Sequence, residues 1–439
     1  MAPVITQRNA ISGGHIRAMM KERLPATLLA RLTEVGRLAD KFGVAAFVVG
    51  GLVRDLLLNR PTLDVDVTVE GDGMAFARFV ADESGAGLKI FERFETAVVT
   101  FPDRSKLDLA TARRESYERP AALPTVERGS IKEDLHRRDF TINALAIRLN
   151  SGSFGELIDF YGGQRDLHGK TIRVLHSRSF VEDPTRLFRA VRFECRFVFH
   201  QDRETLALLK DAAAKDLVHH LSGHRLRQEI VLLLSEQEPR RTVARLGELD
   251  LLRFIHPSLT WSTELAALLA RVESTLDRYR DLFHNHSMDQ WLVPFMALMD
   301  MIPEKAVEEA LTRLAVRPRQ AEAIRAGRSS ADRILRRLAS RPAAKPGETY
   351  RLLSGLPDET LLFLVARSKT DSMTRRLTAY VTTYRNVRPL VGGTDLKALG
   401  LKPGPRFKQI LDRLLEARLN GEIKTKAEER ALAKKLVKA

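Results

Sequence analysis

Two aspartates one residue apart, Asp64 and Asp66, lie in the alternating run Asp64-Val65-Asp66-Val67-Thr68-Val69. In a strand, successive side chains point to opposite faces. This spacing therefore puts both carboxylates on one face and the valines on the other. Two carboxylates held so close repel unless a cation lies between them. Mg²⁺ with a triphosphate is the hard, oxygen-seeking ion that fits such a pair. Just upstream runs Phe47-Val48-Val49-Gly50-Gly51-Leu52-Val53-Arg54-Asp55-Leu56-Leu57-Leu58. The apolar run Phe47–Val49 predicts a buried strand and Leu52–Leu58 a helix. Gly50 and Gly51 between them carry no Cβ, so backbone N–H groups can approach a ligand closely. A helix start aims N–H donors at that spot, which favours phosphate. Arg54 adds a guanidinium fork one turn in. Singly, a Gly-Gly pair is a turn and an Asp-x-Asp pair a solvated loop. On strand, turn, helix and strand together, with Arg54 between, they describe a site for a metal and phosphates.

The elements that must position these groups follow from the pattern. Leu28, Leu29, Leu32, Val35 and Leu38 predict an amphipathic helix over Ala26–Phe42. A helix over Met74–Ser84 and strands over Leu88–Phe91, Ala97–Phe101 and Lys106–Ala110 come next. Asp108, between Leu107 and Leu109, faces away from them; a solvent-facing polar residue and a third carboxylate for two-metal phosphoryl transfer both fit it. Residues 111–134 read as a long charged loop, because Pro120 and Pro124 break any helix. Beyond it, Asp139 or Thr141 would cap a helix whose apolar face is Ile142, Leu145 and Ala146.

Asp183-Pro184 predicts an N-cap and first helical position. In that helix Leu187, Phe188, Val191 and Cys195 fall on one arc, and Asp183, Arg186, Arg189 and Arg192 spread over the other side. Asp183 and Arg186, one turn apart, can offer an acceptor and donors to the edge of cytosine or adenine. A capping aspartate beside a solvated arginine face is the plainer reading of the same residues. Arg225 and Glu229 read as a structural i,i+4 pair. From about residue 171 onward the patterns are helical, with no strand run. His284, His286 and Asp289 lack further ligands nearby and read as surface polar residues.

A chain of 439 residues exceeds one compact core. No apolar run approaches the ~20 residues of a membrane span, so no membrane partner is expected. Residues 1–31 lack the signal-peptide pattern, and the single cysteine, Cys195, leaves no internal disulfide and no cysteine-based zinc site. A cytoplasmic location is the expectation. The 72 basic residues against 56 acidic ones give +16, which favours a polyanionic partner through counterion release. Nine arginines between 313 and 341, and eleven Lys/Arg between 401 and 439, concentrate that charge in the helical half.

The first stretch resembles the signature of the polymerase-β-like nucleotidyltransferases, in the class II form of tRNA CCA-adding enzymes and bacterial poly(A) polymerases. It matches at Gly50, Gly51, Val53, Arg54, Asp55, Leu57, Leu58, Asp64 and Asp66. Arg137-Arg138-Asp139-Phe140-Thr141-Ile142-Asn143-Ala144-Leu145-Ala146 is similar to the family's second motif, and Glu156 to Leu167 to its third, a structural closure. Glu182 to Phe193 is similar to its fourth. The resemblance covers 47–193 and thins afterwards. It implies an α+β fold: a nucleotidyltransferase head with a mixed sheet over 1–170, then an all-α neck (171–236), body (237–345) and basic, tRNA-binding tail (346–439). It implies transfer of nucleotides from CTP and ATP to the tRNA 3′ end without a template, adding CCA or its terminal A, with no protein partner. Asp64 and Asp66, joined by Asp108, would be catalytic, the first two holding Mg²⁺. Gly50, Gly51, Arg54, Arg138, Asp183, Arg186, Arg189 and Arg192 would bind the nucleotide, with Asp183 and Arg186 choosing its base. Relatives that add only CC tend to have the 111–134 loop shortened; here it is intact, as the final adenosine requires. A poly(A) polymerase is disfavoured by the small residues after Asn143, and a non-catalytic RNA binder by the paired carboxylates.

Overall fold

The computed structural model describes residues 13–61, 65–92, 95–122, 124–283, 288–340, 342–402 and 404–438. These divide into two compact units, 1–221 and 222–439. The division falls inside the segment expected as a neck.

The first unit opens with α1 (Gly13–Arg23), which the sequence reading did not foresee, and α2 (Ala26–Phe42). Leu32, Val35 and Leu38 of α2 are buried, and the helix ends at Gly43 in the left-handed conformation. Then come β1 (Ala45–Val49), α3 (Gly51–Leu57), β2 (Asp66–Glu70), α4 (Gly73–Ser84), β3 (Gly87–Phe91), β4 (Thr96–Thr100) and β5 (Lys106–Thr111). The Asp72 carboxylate caps α4 by accepting from the Ala75 N–H at 2.9 Å. Next are β6 (Arg113–Ser116), β7 (Thr125–Arg128), α5 (Ile131–His136), β8 (Ala146–Arg148), β9 (Leu157–Ile158), α6 (Gly163–His168) and β10 (Thr171–Ile172). They are followed by α7 (Ser179–Glu182), α8 (Thr185–Phe197), β11 (His200–Gln201) and α9 (Arg203–Ala214).

The main sheet has seven strands in the order β3-β4-β5-β2-β1-β8-β9. It is mixed: β2 runs parallel to β5 and the other neighbours are antiparallel. β1, buried on both faces at Phe47, Val48 and Val49, lies between β2 and β8. The expected α+β head followed by a helical half is the architecture found.

Four local expectations are corrected. Residues 111–134 are an antiparallel hairpin, β6 with β7, followed by α5, rather than a loop. Pro120 and Pro124 stop a helix, but at a hairpin tip they interrupt no ladder. Arg114 opposite Glu127 then adds a cross-strand ion pair at 2.5 Å. The helix expected after Asp139 is a single 3₁₀ turn, Thr141–Asn143, and Ala146 instead pairs with Val49. Short apolar runs do not separate a helix from a buried strand by periodicity. Beyond 171, β10 and β11 form a two-stranded parallel ladder too short to leave a sequence pattern. Helix α8 begins at Thr185, two residues after Asp183.

Among the described residues the second unit is helical throughout. Its helix Pro318–Ala339 carries much of the arginine cluster, and part of that cluster is internally paired: Arg325 with Glu308 at 2.6 Å and Arg337 with Glu348 at 2.5 Å. Near the C-terminal end, the buried Glu429 carboxylate accepts from the backbone N–H groups of Leu390 and Val391 and from Arg418. Asp289, bonded to Gln320 and Glu359, is a structural polar residue; His284 and His286 lie outside the described residues. No described helix is long and apolar enough to cross a membrane.

Candidate active site

Asp66 opens β2 and is exposed, while Val65 and Val67 beside it are buried. The register places Asp66 directly opposite Asp108 on β5. Opposed residues on neighbouring strands point to the same face, so both carboxylates stand side by side at the sheet surface. They line a cavity of about 460 Å³ together with Thr68, Phe91, Arg137 and Arg138. Asp64 lies outside the described residues. Among those described, no group of three or more His, Cys, Asp or Glu side chains is placed to hold a metal. The Asp66–Asp108 pair still supplies the oxygen donors that a hard divalent cation takes.

The glycine elbow adjoins this cavity. Gly50 has φ +67°, which only glycine adopts at little cost. A Cβ there would stand 2.7 Å from Nη1 of Arg138. The Gly50 N–H donates to the carbonyl of Leu145 at 3.1 Å, so this donor closes the turn. Arg138 donates to Asp134 at 3.0 Å, and its Nε is buried without a hydrogen-bond partner. Asp134 is fully buried and also takes Arg137 at 2.7 Å. Burial alone would raise the Asp134 carboxyl, but the two guanidinium charges win and hold it below the usual range.

Arg54 points inward, not at the cavity. It is only 6% exposed, forks onto Asp55 at 2.9 and 3.0 Å, and donates to Asn143 at 2.6 Å. Its guanidinium also lies 4.7 Å from the centre of the Phe197 ring. Asn143 donates to Asp139 at 2.9 Å, and Asp139 receives two bonds from Arg189 at 2.8 and 2.6 Å. A relay of Asp55, Arg54, Asn143, Asp139 and Arg189, buried except at Arg189, thus joins α3 to α8. Burial works against the Asp139 charge, but Arg189 and the Asn143 bond bring its pKa down to about 2. In the sequence Asp55 and Asn143 stand out only as motif letters, because a buried pair leaves no periodic signal.

Arg186 and Arg192 of α8 are likewise turned into protein rather than spread over an open face. Arg186 is 5% exposed, donating to the Ser179 hydroxyl at 2.7 Å and the Arg137 carbonyl at 2.6 Å. Arg192 is 8% exposed, its guanidinium 4.9 Å from the centre of the Phe193 ring. Asp183 has an extended backbone and accepts from the Thr185 N–H at 3.0 Å and hydroxyl at 2.6 Å, so its carboxylate meets the first helical residue although Pro184 holds the cap position. The charges of Arg186 and Asp183 both reach Tyr117 on the hairpin, whose hydroxyl donates to Glu115 at 2.8 Å. Burial, then the Glu115 charge, push that phenol upward.

A second cavity, about 840 Å³, opens beside these residues between the hairpin, α5 and the segment before α7. Arg137 lines both cavities. The geometry therefore brings Asp66, Asp108 and Arg138 together at one cavity, and sets Asp183 and Arg186 close to Tyr117, which lines the other. Arg54 and Arg189 it commits to protein partners.

Residues 46–173 match the family model described as poly A polymerase head domain, and 199–262 the one described as probable RNA and SrmB-binding site of polymerase A. Over 95% of its length the chain is 43% identical to the A-adding tRNA nucleotidyltransferase of Geobacter sulfurreducens, of which it covers 48%. It is 35% identical to the A-adding tRNA nucleotidyltransferase of Halalkalibacterium halodurans, covering 90% of this chain and 89% of that one. The chain thus spans about half the length of the first of these relatives and most of the second. The Thermotoga maritima CCA-adding enzyme complexed with tRNA superposes with a TM-score of 0.76 at 29% identity, over 96% of this chain and 98% of that one. The mixed sheet, its glycine elbow and its paired strand carboxylates define a polymerase-β-like nucleotidyltransferase. Within that class the chain belongs to the family of class II tRNA nucleotidyltransferases and bacterial poly(A) polymerases.

Proposed function

We propose that this chain transfers nucleotides from CTP or ATP to the 3′ end of tRNA without a template, releasing pyrophosphate and completing the CCA end or its terminal A. The observation that carries the reading is the register of Asp66 against Asp108 in a head of this family. Asp66 and Asp108, with Asp64 of the same strand signature, would hold Mg²⁺, which when bound neutralises triphosphate and favours the attacking oxyanion. Arg138, at the same cavity, offers positive charge to phosphate, and Gly50 lets the chain turn there without blocking it. Asp183 and Arg186 choose the base; the anchoring of Arg186 by Ser179 and Arg137 keeps its donors in one place. Arg54, Arg189 and Arg192 act as supports for α3 and α8. The basic helices of the second unit supply phosphate contacts to tRNA. These substrates suit a cytoplasmic enzyme.

A narrower reading, addition of A alone, is favoured by a specific observation. The relatives from Geobacter sulfurreducens and Halalkalibacterium halodurans described above are named A-adding, and Geobacter sulfurreducens also has a relative named CC-adding, 31% identical over 95% of this chain. The test offers purified protein tRNAs ending before CCA, after C and after CC, with labelled CTP or ATP. Incorporation of ATP only, and only onto the CC end, is expected. Extension with CTP refutes the narrower reading, and no incorporation on any of the three refutes the transferase reading.

A further inference from the structure

The 840 Å³ cavity holds aromatic rings that the reaction as described does not use. His136 and His176 stack with centroids 5.1 Å apart and planes at 22°. Tyr161 lies 5.6 Å from His136, and Phe160 lies 6.2 Å from Tyr161. The Tyr161 hydroxyl donates to the Lys132 carbonyl at 3.0 Å, which pins its ring. The run continues outward to Phe160, which is 49% exposed, an unusual position for a phenylalanine in this chain. Cations border it: the Lys132 ammonium is 5.9 Å from the centre of the Phe160 ring, and the Arg178 side chain, which also lines the cavity, is 69% exposed. Burial and then the Arg186 charge lower the His176 pKa to about 4, so the stacked imidazoles do not repel at neutral pH.

We propose that Phe160, Tyr161, His136 and His176 form a stacking platform for the last unpaired nucleobases of the RNA that is extended, a proposal resting on the transferase reading above. An unpaired 3′ end whose terminal oxygen reaches Asp66 and Asp108 must leave that cavity along an adjoining wall. Arg137 is common to the two cavities, so the cavity that holds the rings adjoins the carboxylate cavity. Every base has a π-face, so rings bind single strands whatever their sequence, while cations on the rim meet the phosphates. The incoming nucleotide needs no such run: one base spans one ring, whereas four rings extending to the surface suit several bases in succession.

The test is equilibrium binding, without nucleotide, of a tRNA ending in CC and of the same tRNA trimmed of both cytidines. The intact protein is expected to prefer the longer RNA, and Phe160→Ala or Tyr161→Ala to reduce that preference by roughly tenfold each. Phe160→Trp should retain it, as should Tyr161→Phe. Phe160 is exposed, so its replacement removes no core contact, and circular dichroism of each variant checks folding. An unchanged preference in Phe160→Ala overturns the platform, as does a rise in KM for ATP with RNA affinity intact. Because binding needs no turnover, failure of the platform is read separately from failure to transfer nucleotide.

Discussion

The carboxylates of the sheet and the arginines of α8 are both charged, yet the fold treats them in opposite ways. Asp66 and Asp108 stand exposed on adjacent strands, where their mutual repulsion is tolerated because water and a mobile cation can screen it. Arg186, Arg189 and Arg192 are drawn into protein, where hydrogen bonds, ion pairs or ring faces hold them. On the proposed reading, the carboxylates that would exchange metal and phosphates with every cycle are left open. Arg186, which would choose the base, is held in advance, because a guanidinium free to swing would satisfy either edge.

The largest effect that would sharpen this contrast is on the open side. Asp66→Ala or Asp108→Ala should reduce nucleotide incorporation by roughly a thousandfold or more, while tRNA binding stays near normal. A variant of either that still incorporates at more than a tenth of the normal rate breaks the assignment. On the enclosed side the balance reverses. Asp139→Ala leaves the half-buried Arg189 and the buried Asn143 amide without their acceptor and should cost about 2–3 kcal/mol of stability in urea unfolding. A cost below about 1 kcal/mol would mean the relay is no more than a surface pair.

The smallest effect concerns pH. His176 binds its proton more weakly folded than unfolded, since its pKa is lowered from 6.5 to about 4. Its share of stability is therefore complete above about pH 6.5 and withdrawn as pH falls towards 4. Asp139, lowered to about 2, keeps its share until the pH falls below 3.8 and loses it on the way to 2. The drop in melting temperature between pH 7 and pH 5 should thus be smaller in His176→Asn than in the unaltered protein. Equal drops would show that His176 is not desolvated in solution.

The strands and helices of the head were legible where alternation or helical spacing was long enough, as for α2, whose expected limits Ala26 and Phe42 are those observed. The hairpin β6–β7 was not, because its strands are polar on both faces and its prolines mimic a loop. Asp108 was recognised as facing away from Leu107 and Leu109, but nothing in the sequence says which strand lies beside β5. Arg54 carried the right motif and the opposite orientation.

From the sequence alone came the residue types and their local order: carboxylates alternating with valines, glycines at a strand-to-helix turn, a carboxylate and arginine one turn apart. These rest on backbone periodicity, which acts over a few residues. Which charges meet water and which are consumed by partners was decided by the tertiary structure. Asp66 faces Asp108 across 42 positions of chain, and Arg54 reaches Asn143 across 89. Burial and pairing over such separations depend on how the elements pack, and no spacing along the chain encodes them directly.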